Sequence, residues 1–142
     1  MPSRPMRRLR RRMTAAGPDP HVRRLARCAR LQQDRVLAGQ YVGFSLCADP
    51  VWDMLLELYV ASSCNYPLSL SSLGLAANVP PTTALRAIRT MERARLVIRT
   101  PDLRDGRRIH VLLTDMARTR IERMLDAMEQ PARQHGFRLP RD

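Results

Sequence analysis

The chain has 142 residues and a formal net charge of +12, carried by 25 Arg and no Lys against 13 acids. That length suits one domain with one core, and no apolar run approaches the roughly 18 residues that a membrane-spanning helix needs. Three Cys (Cys28, Cys47, Cys64) and three His fall at no metal-ligand spacing, which excludes a disulfide framework or a metal site from the reading, and no other cofactor is expected.

The charge is unevenly placed. Residues 1–39 balance at +9, residues 40–85 at −3 and residues 86–142 at +6. All-Arg usage has a bland source in coding bias, but the charge itself points to a polyanionic partner. Guanidinium groups bind phosphate in a planar, bidentate way that Lys does not match.

The first twenty residues hold six Arg and four Pro, too few apolar groups to build a core. Residues 1–18 are therefore expected as a disordered basic arm, either a solubilising tail or a phosphate-contacting one. No apolar stretch follows the basic start, so it is not a secretory signal, and an amphipathic transit-peptide stripe is missing too. From His21 to about Leu37 the pattern turns helical, with Val22, Leu25, Ala29 and Val36 near one stripe and Arg23, Arg24, Arg27 and Arg30 largely off it. Cys28 lies beside Arg27 and Arg30. Two roles are open for the cysteines: small buried hydrophobes, or a low-pKa oxidant sensor at Cys28.

Asp49-Pro50 opens the next helix as N-cap and first residue, with Asp53 in the first turn. Trp52, Leu55, Leu56 and Tyr59 then form a core-facing stripe. Ser71 is placed to cap a short helix over about 72–77. Asn78 suits a left-handed turn, Val79 can plug it, and Pro80-Pro81 can begin a second helix over about 81–94. At about 100° per residue, Ala84, Ala87, Ile88 and Met91 share one side of that helix with Arg95 at its end. Thr82, Arg86, Arg89 and Arg93 share the other. A short helix, a tight turn and a helix with an Arg-rich face make a helix-turn-helix, whose second helix enters the major groove of DNA. Against that stands a plain solvated charged face.

Next come VIRT, PDLRDGRR and IHVLLT. Alternation marks two strands, with Pro101, Asp102, Asp105 and Gly106 in the turn. Arg99, Arg104, Arg107 and Arg108 gather around it. Thr114 caps a last helix with Ala117, Ile121, Met124, Leu125 and Met128 on one stripe, ending before Pro131. A hairpin directly after a helix-turn-helix is a wing. The fold class is thus mainly α with a small β-hairpin wing, a winged helix-turn-helix over 19–130, followed by a tail over 131–142. Arg107 is expected in the minor groove, oriented by a salt bridge from Asp105, with Arg104 and Arg108 on backbone phosphates.

RARLVIRTPDLRDGRRIHVLLTDMA resembles the wing of MarR-type winged-helix regulators, with the Asp-x-Arg turn at Asp105 and Arg107 and the Leu-Thr strand end at Leu113 and Thr114. SSLGLAANVPPTTALRAIRTMERARLV is similar to their helix-turn-helix, placing Thr82, Thr83 and Arg86 where DNA is touched. The resemblance covers about residues 50–128. It implies a cytoplasmic, nucleoid-associated homodimer on double-stranded DNA, here through residues 21–37 and 115–129. Family members often sense small-molecule effectors at the dimer junction; no residue here is assigned to one. The chain departs from the family at Arg95, where a Gly is usual, and a left-handed Arg there costs about 1 kcal/mol.

Two readings remain open: a sequence-specific regulator, or a winged-helix module that binds an acidic partner or DNA without sequence preference. An enzyme is not expected. Paired carboxylates, a nucleophile elbow and a phosphate-binding glycine loop are all missing, and GLAAN holds a single Gly.

Overall fold

The computed structural model describes residues 19–129; the basic arm at 1–18 and the tail at 131–142 lie outside the described residues. The elements run α1 (Pro20–Val42), α2 (Pro50–Ser63), β1 (Leu68–Ser69), α3 (Leu70–Ala76), α4 (Pro81–Arg93), β2 (Val97–Pro101), β3 (Ile109–Leu113) and α5 (Asp115–Ala127). Among the described residues no helix is long and apolar enough to cross a membrane.

The helix starts follow their caps. The Asp19 and Asp49 carboxylates accept from the His21 and Trp52 amides, each ahead of a Pro at the helix start. The first helix runs on to Val42, past the expected end near Leu37. The cap of the short α3 is Ser69, which accepts from the Ser72 amide, and not Ser71. Its helix therefore spans 70–76 rather than 72–77. The short strand β1 holds Ser69 in extended backbone, as an N-cap requires, and this strand carries no pattern long enough to read in sequence.

Helix α2 is the wall between two cores. On one side Met54, Leu58 and Ala61 join Leu73, Ala84, Ile88, Met91, Val97 and Val111 beneath the helix-turn-helix and wing. On the other, Leu56, Tyr59 and Val60 join Leu25, Cys28, Ile121 and Leu125. Both faces are covered, so α2 is buried nearly all round from Met54 to Ala61. The sequence stripe captured one side; Trp52 and Leu55 at its edge are only half-buried. On the last helix Ala117, Ile121 and Leu125 are buried, whereas Met128 is exposed.

Ion pairs tie α1 to its neighbours. Arg24 grips Asp126 of α5 with two parallel hydrogen bonds of 2.7 and 2.6 Å. That bond is the main reason the Asp126 carboxyl sits below the usual carboxylate range. Arg35 lies 3.3 Å from Asp53 and donates to the Cys47 carbonyl, pinning the loop after α1. Gln32 donates to the buried Glu57 at 2.8 Å.

The hairpin is part of a three-stranded antiparallel sheet of order β1-β3-β2. Val97 pairs with Leu113 and Pro101 with Ile109, while Leu68 of β1 pairs with Val111. At the base of the wing, Arg95 is left-handed with φ 58°, a backbone that Gly adopts more readily. Thr114 braces that turn. Its amide donates to the Leu96 carbonyl at 3.0 Å, and its hydroxyl donates to the Arg95 carbonyl at 2.9 Å. The same hydroxyl accepts from the Ala117 amide at 3.1 Å, capping α5.

Two substitutions test this joint. Thr114→Val keeps the shape and removes the hydroxyl's bonds to the Arg95 and Leu96 carbonyls and from the Ala117 amide, and should destabilise the protein by about 1–2 kcal/mol. Arg95→Gly relieves the left-handed backbone and should stabilise it by about 0.5–1 kcal/mol. Urea unfolding reads both as shifts in midpoint at constant slope.

Candidate nucleic-acid interface

Helix α4 is held from below by small contacts. The turn before it closes with the Val79 amide on the Gly74 carbonyl at 3.1 Å, and Asn78 takes the left-handed backbone (φ 52°) expected of it. A Cβ at Gly74 would stand 3.1 Å from the Ala84 Cβ, so the single Gly of GLAAN serves the close approach of α3 and α4. Val79 packs on the core at the turn.

With Ala84, Ala87, Ile88 and Met91 buried, the opposite side of α4 is solvent-facing. Thr82, Arg86, Arg89 and Arg93 share one shallow concavity, as their spacing predicts. Leu85 and Glu92 also line it and were missed, because neither matched a basic or hydroxylic pattern. Thr83 is exposed in the first turn but does not line the concavity. The helix starts at Pro81 without a side-chain cap. Its first amides are therefore left to bind an outside acceptor, where the helix dipole favours negative charge. Among the described residues no acid pairs with Arg86 or Arg89.

The wing tip is built by two aspartates. Asp102 Oδ1 accepts from the Arg104 amide at 2.8 Å, and Asp105 Oδ1 accepts from the Arg107 amide at 3.1 Å. Two backbone bonds close the loop, from the Asp102 amide to the Arg108 carbonyl and from the Arg108 amide to the Asp105 carbonyl, both 2.9 Å. The Arg104 amide is the main reason the Asp102 carboxyl sits below its usual range; His110, 3.5 Å away, adds to it.

Two expectations are corrected here. Asp105 does not form a salt bridge with the Arg107 side chain; it holds the Arg107 amide, and its other oxygen lies 4.0 Å from Arg108 Nε. A carboxylate two residues back reaches the amide more easily than the end of a long side chain. Arg99 is not at the tip. It lies in β2 and donates to Glu92 of α4 at 2.7 Å, tying the wing to the helix. Arg104, Arg107 and Arg108 are all exposed at the tip.

Of the cysteines, Cys28 is completely buried, and burial pushes its thiol up to about 12. A thiol held protonated is a poor nucleophile, so the low-pKa reading of Cys28 is overturned; its sequence neighbours Arg27 and Arg30 do not offset the lost hydration.

A second surface stands out away from α4. Val36, Leu37, Tyr41, Val42, Phe44 and Leu46 are all exposed at the end of α1 and in the loop beyond, with Tyr41 at 88 % and Leu46 at 78 %. Phe44 folds back over Gly39, where its ring occupies the space a Cβ would need. Residues 36–48 hold no charged side chain.

No protein-family model matches the chain, and no curated protein is similar to it. Solved structures do match. One point mutant of MepR from S. aureus shares 22% identity over 72% of this chain and 76% of its own, with a TM-score of 0.51. Another, bound to an oligodeoxyribonucleotide, shares 22% over 63% and 65%, with a TM-score of 0.50. A third, from a multidrug resistant clinical isolate, shares 22% over 58% of this chain, with a TM-score of 0.49. The chain spans 57% of that third structure, little more than half its length. At such identity the likeness is one of fold, and the fold of the described residues is the winged helix of MarR-type regulators.

Proposed function

We propose that this protein is a sequence-specific, double-stranded DNA-binding transcriptional regulator, with α4 in the major groove and the wing in the minor groove. One observation carries the reading. Among the described residues Arg86 and Arg89 on α4 form no ion pair, Glu92 of the same concavity being taken by Arg99, and an aspartate-built loop of the wing displays Arg104, Arg107 and Arg108. Thr82, Thr83 and the uncapped start of α4 meet a phosphate, Arg86 and Arg89 read base edges, and Arg93 holds the backbone. Arg107 enters the minor groove, its loop oriented by Asp105, while Arg104 and Arg108 hold phosphates. A structure of the same fold, MepR from S. aureus, was solved bound to an oligodeoxyribonucleotide, which supports this reading. The role places the protein in the cytoplasm, with the nucleoid.

The protein acts as a homodimer in this reading. The inner faces of α1 and α5 pack on each other within the chain, through Leu25, Cys28, Ile121 and Leu125. The surface expected over residues 21–37 and 115–129 is then extended by the exposed apolar run from Val36 to Leu46, which offers a second copy an apolar patch. It is uncharged, so two copies of a chain at +12 approach there with little repulsion.

Arg86→Ala should weaken binding to the preferred site by about 1–3 kcal/mol and blur base preference at one position. Arg108→Ala should weaken binding to all duplexes alike and lower the salt slope by about 1. Titrations over a salt series check both. Equal loss on every sequence for Arg86→Ala would favour a sequence-blind binder or an acidic protein partner. Light scattering checks the dimer: Tyr41→Asp with Leu46→Asp should give a folded monomer, and an unchanged mass would remove this surface from the interface.

A further inference from the structure

The wing tip holds a residue that neither charge nor loop geometry explains. Leu103 is 102% exposed, so nothing among the described residues covers it. Its neighbours are charged, with Asp102 before it and Arg104, Asp105, Arg107 and Arg108 following in the same loop. The loop needs its aspartates, which hold the Arg104 and Arg107 amides, and it needs the Asp102–Arg108 closure. It asks nothing apolar of position 103. A polar residue there would fit the same turn and keep water content.

Nor is Leu103 on a loose strand of chain. The residue before it donates its amide to Arg108, and the residue after it donates its amide to Asp102. The backbone on both sides is tied down, so the loop displays position 103 at the tip of the wing. A displayed aliphatic group gains only when an outside surface covers it. The three exposed arginines that follow it in the same loop set what that surface is. They go to phosphates, and between the phosphates of a minor groove lie sugar walls and stacked base edges. Apolar side chains enter there as wedges, unstacking a base step and bending the duplex.

We propose that Leu103 is such a wedge: it enters the minor groove beside the guanidiniums of its own loop and partly unstacks a pyrimidine–purine step, so that the wing bends the DNA. This rests on the DNA-binding reading above. Pyrimidine–purine steps are the ones that kink most readily, which makes Leu103 a determinant of specificity without a hydrogen bond to any base.

The test uses the full chain and two duplexes about three helical turns long, one of alternating adenine and thymine, one with all adenines on one strand. Both present the same base pairs and phosphates, and only the first has pyrimidine–purine steps inside. End-to-end energy transfer reads the bend, and 2-aminopurine fluorescence reads unstacking. Wild type should bend the alternating duplex and bind it more tightly than the other. Leu103→Ala should lose the bend and the fluorescence rise and bind the alternating duplex about tenfold more weakly, with the salt slope unchanged. Leu103→Met should retain the bend. Circular dichroism should show the same fold for all three, since the side chain touches nothing. If Leu103→Ala bends and unstacks the alternating duplex as wild type does, the wedge is wrong and DNA binding stands. If wild type binds neither duplex at low salt, the DNA-binding reading falls and takes the wedge with it.

Discussion

The Thr114 hydroxyl joins three elements at one point. It donates to the carbonyl of left-handed Arg95 just after α4, accepts the Ala117 amide at the start of α5, and stands at the end of β3. The distance and angle between α4 and the wing depend on that joint. A second tie, Arg99 to Glu92, holds the wing to the far side of the helix. Together they make the helix face and the wing tip one preorganised surface, as the proposed contact with two grooves would require.

The arginines divide by task. Arg24, Arg35 and Arg99 meet acids and hold helices and the wing in place. Their partners are Asp126 on α5, Asp53 on α2 and Glu92 on α4, and α2 itself carries no Arg, which matches the acidic middle of the chain. Arg86, Arg89, Arg104 and Arg107 form no ion pair among the described residues, Glu92 beside the first two being taken by Arg99. A surface of unpaired guanidiniums is costly to keep in a protein already at +12 unless an outside anion neutralises it. The separation of paired from unpaired arginines thus argues for a polyanion more strongly than net charge does.

Much of this was legible in the sequence because the signals were local. The Asp49-Pro50 start, the Asn78 turn, the buried side of α4 and the Thr114 cap follow from residue chemistry over a few positions. The failures have physical causes. Strand β1 is two residues long and exists only because β3 pairs with it, so no period could show it. Its extended backbone moved the cap from Ser71 to Ser69. Met54 and Leu58 were overlooked because a helix buried on both faces has no single stripe. Arg99 looked like a tip residue by counting along the chain, yet its partner Glu92 lies seven residues back on another element. The contact of Asp105 with an amide rather than a guanidinium is set by loop geometry that composition does not encode.

The most direct measurement is to mix purified protein with random duplexes at moderate salt, recover the bound ones and sequence them. The account predicts a sharp, roughly palindromic motif with half-sites about one helical turn apart, since two copies each present α4 and a wing. Recovery without sequence preference, vanishing as salt rises, would contradict it and leave the arginines as charge alone.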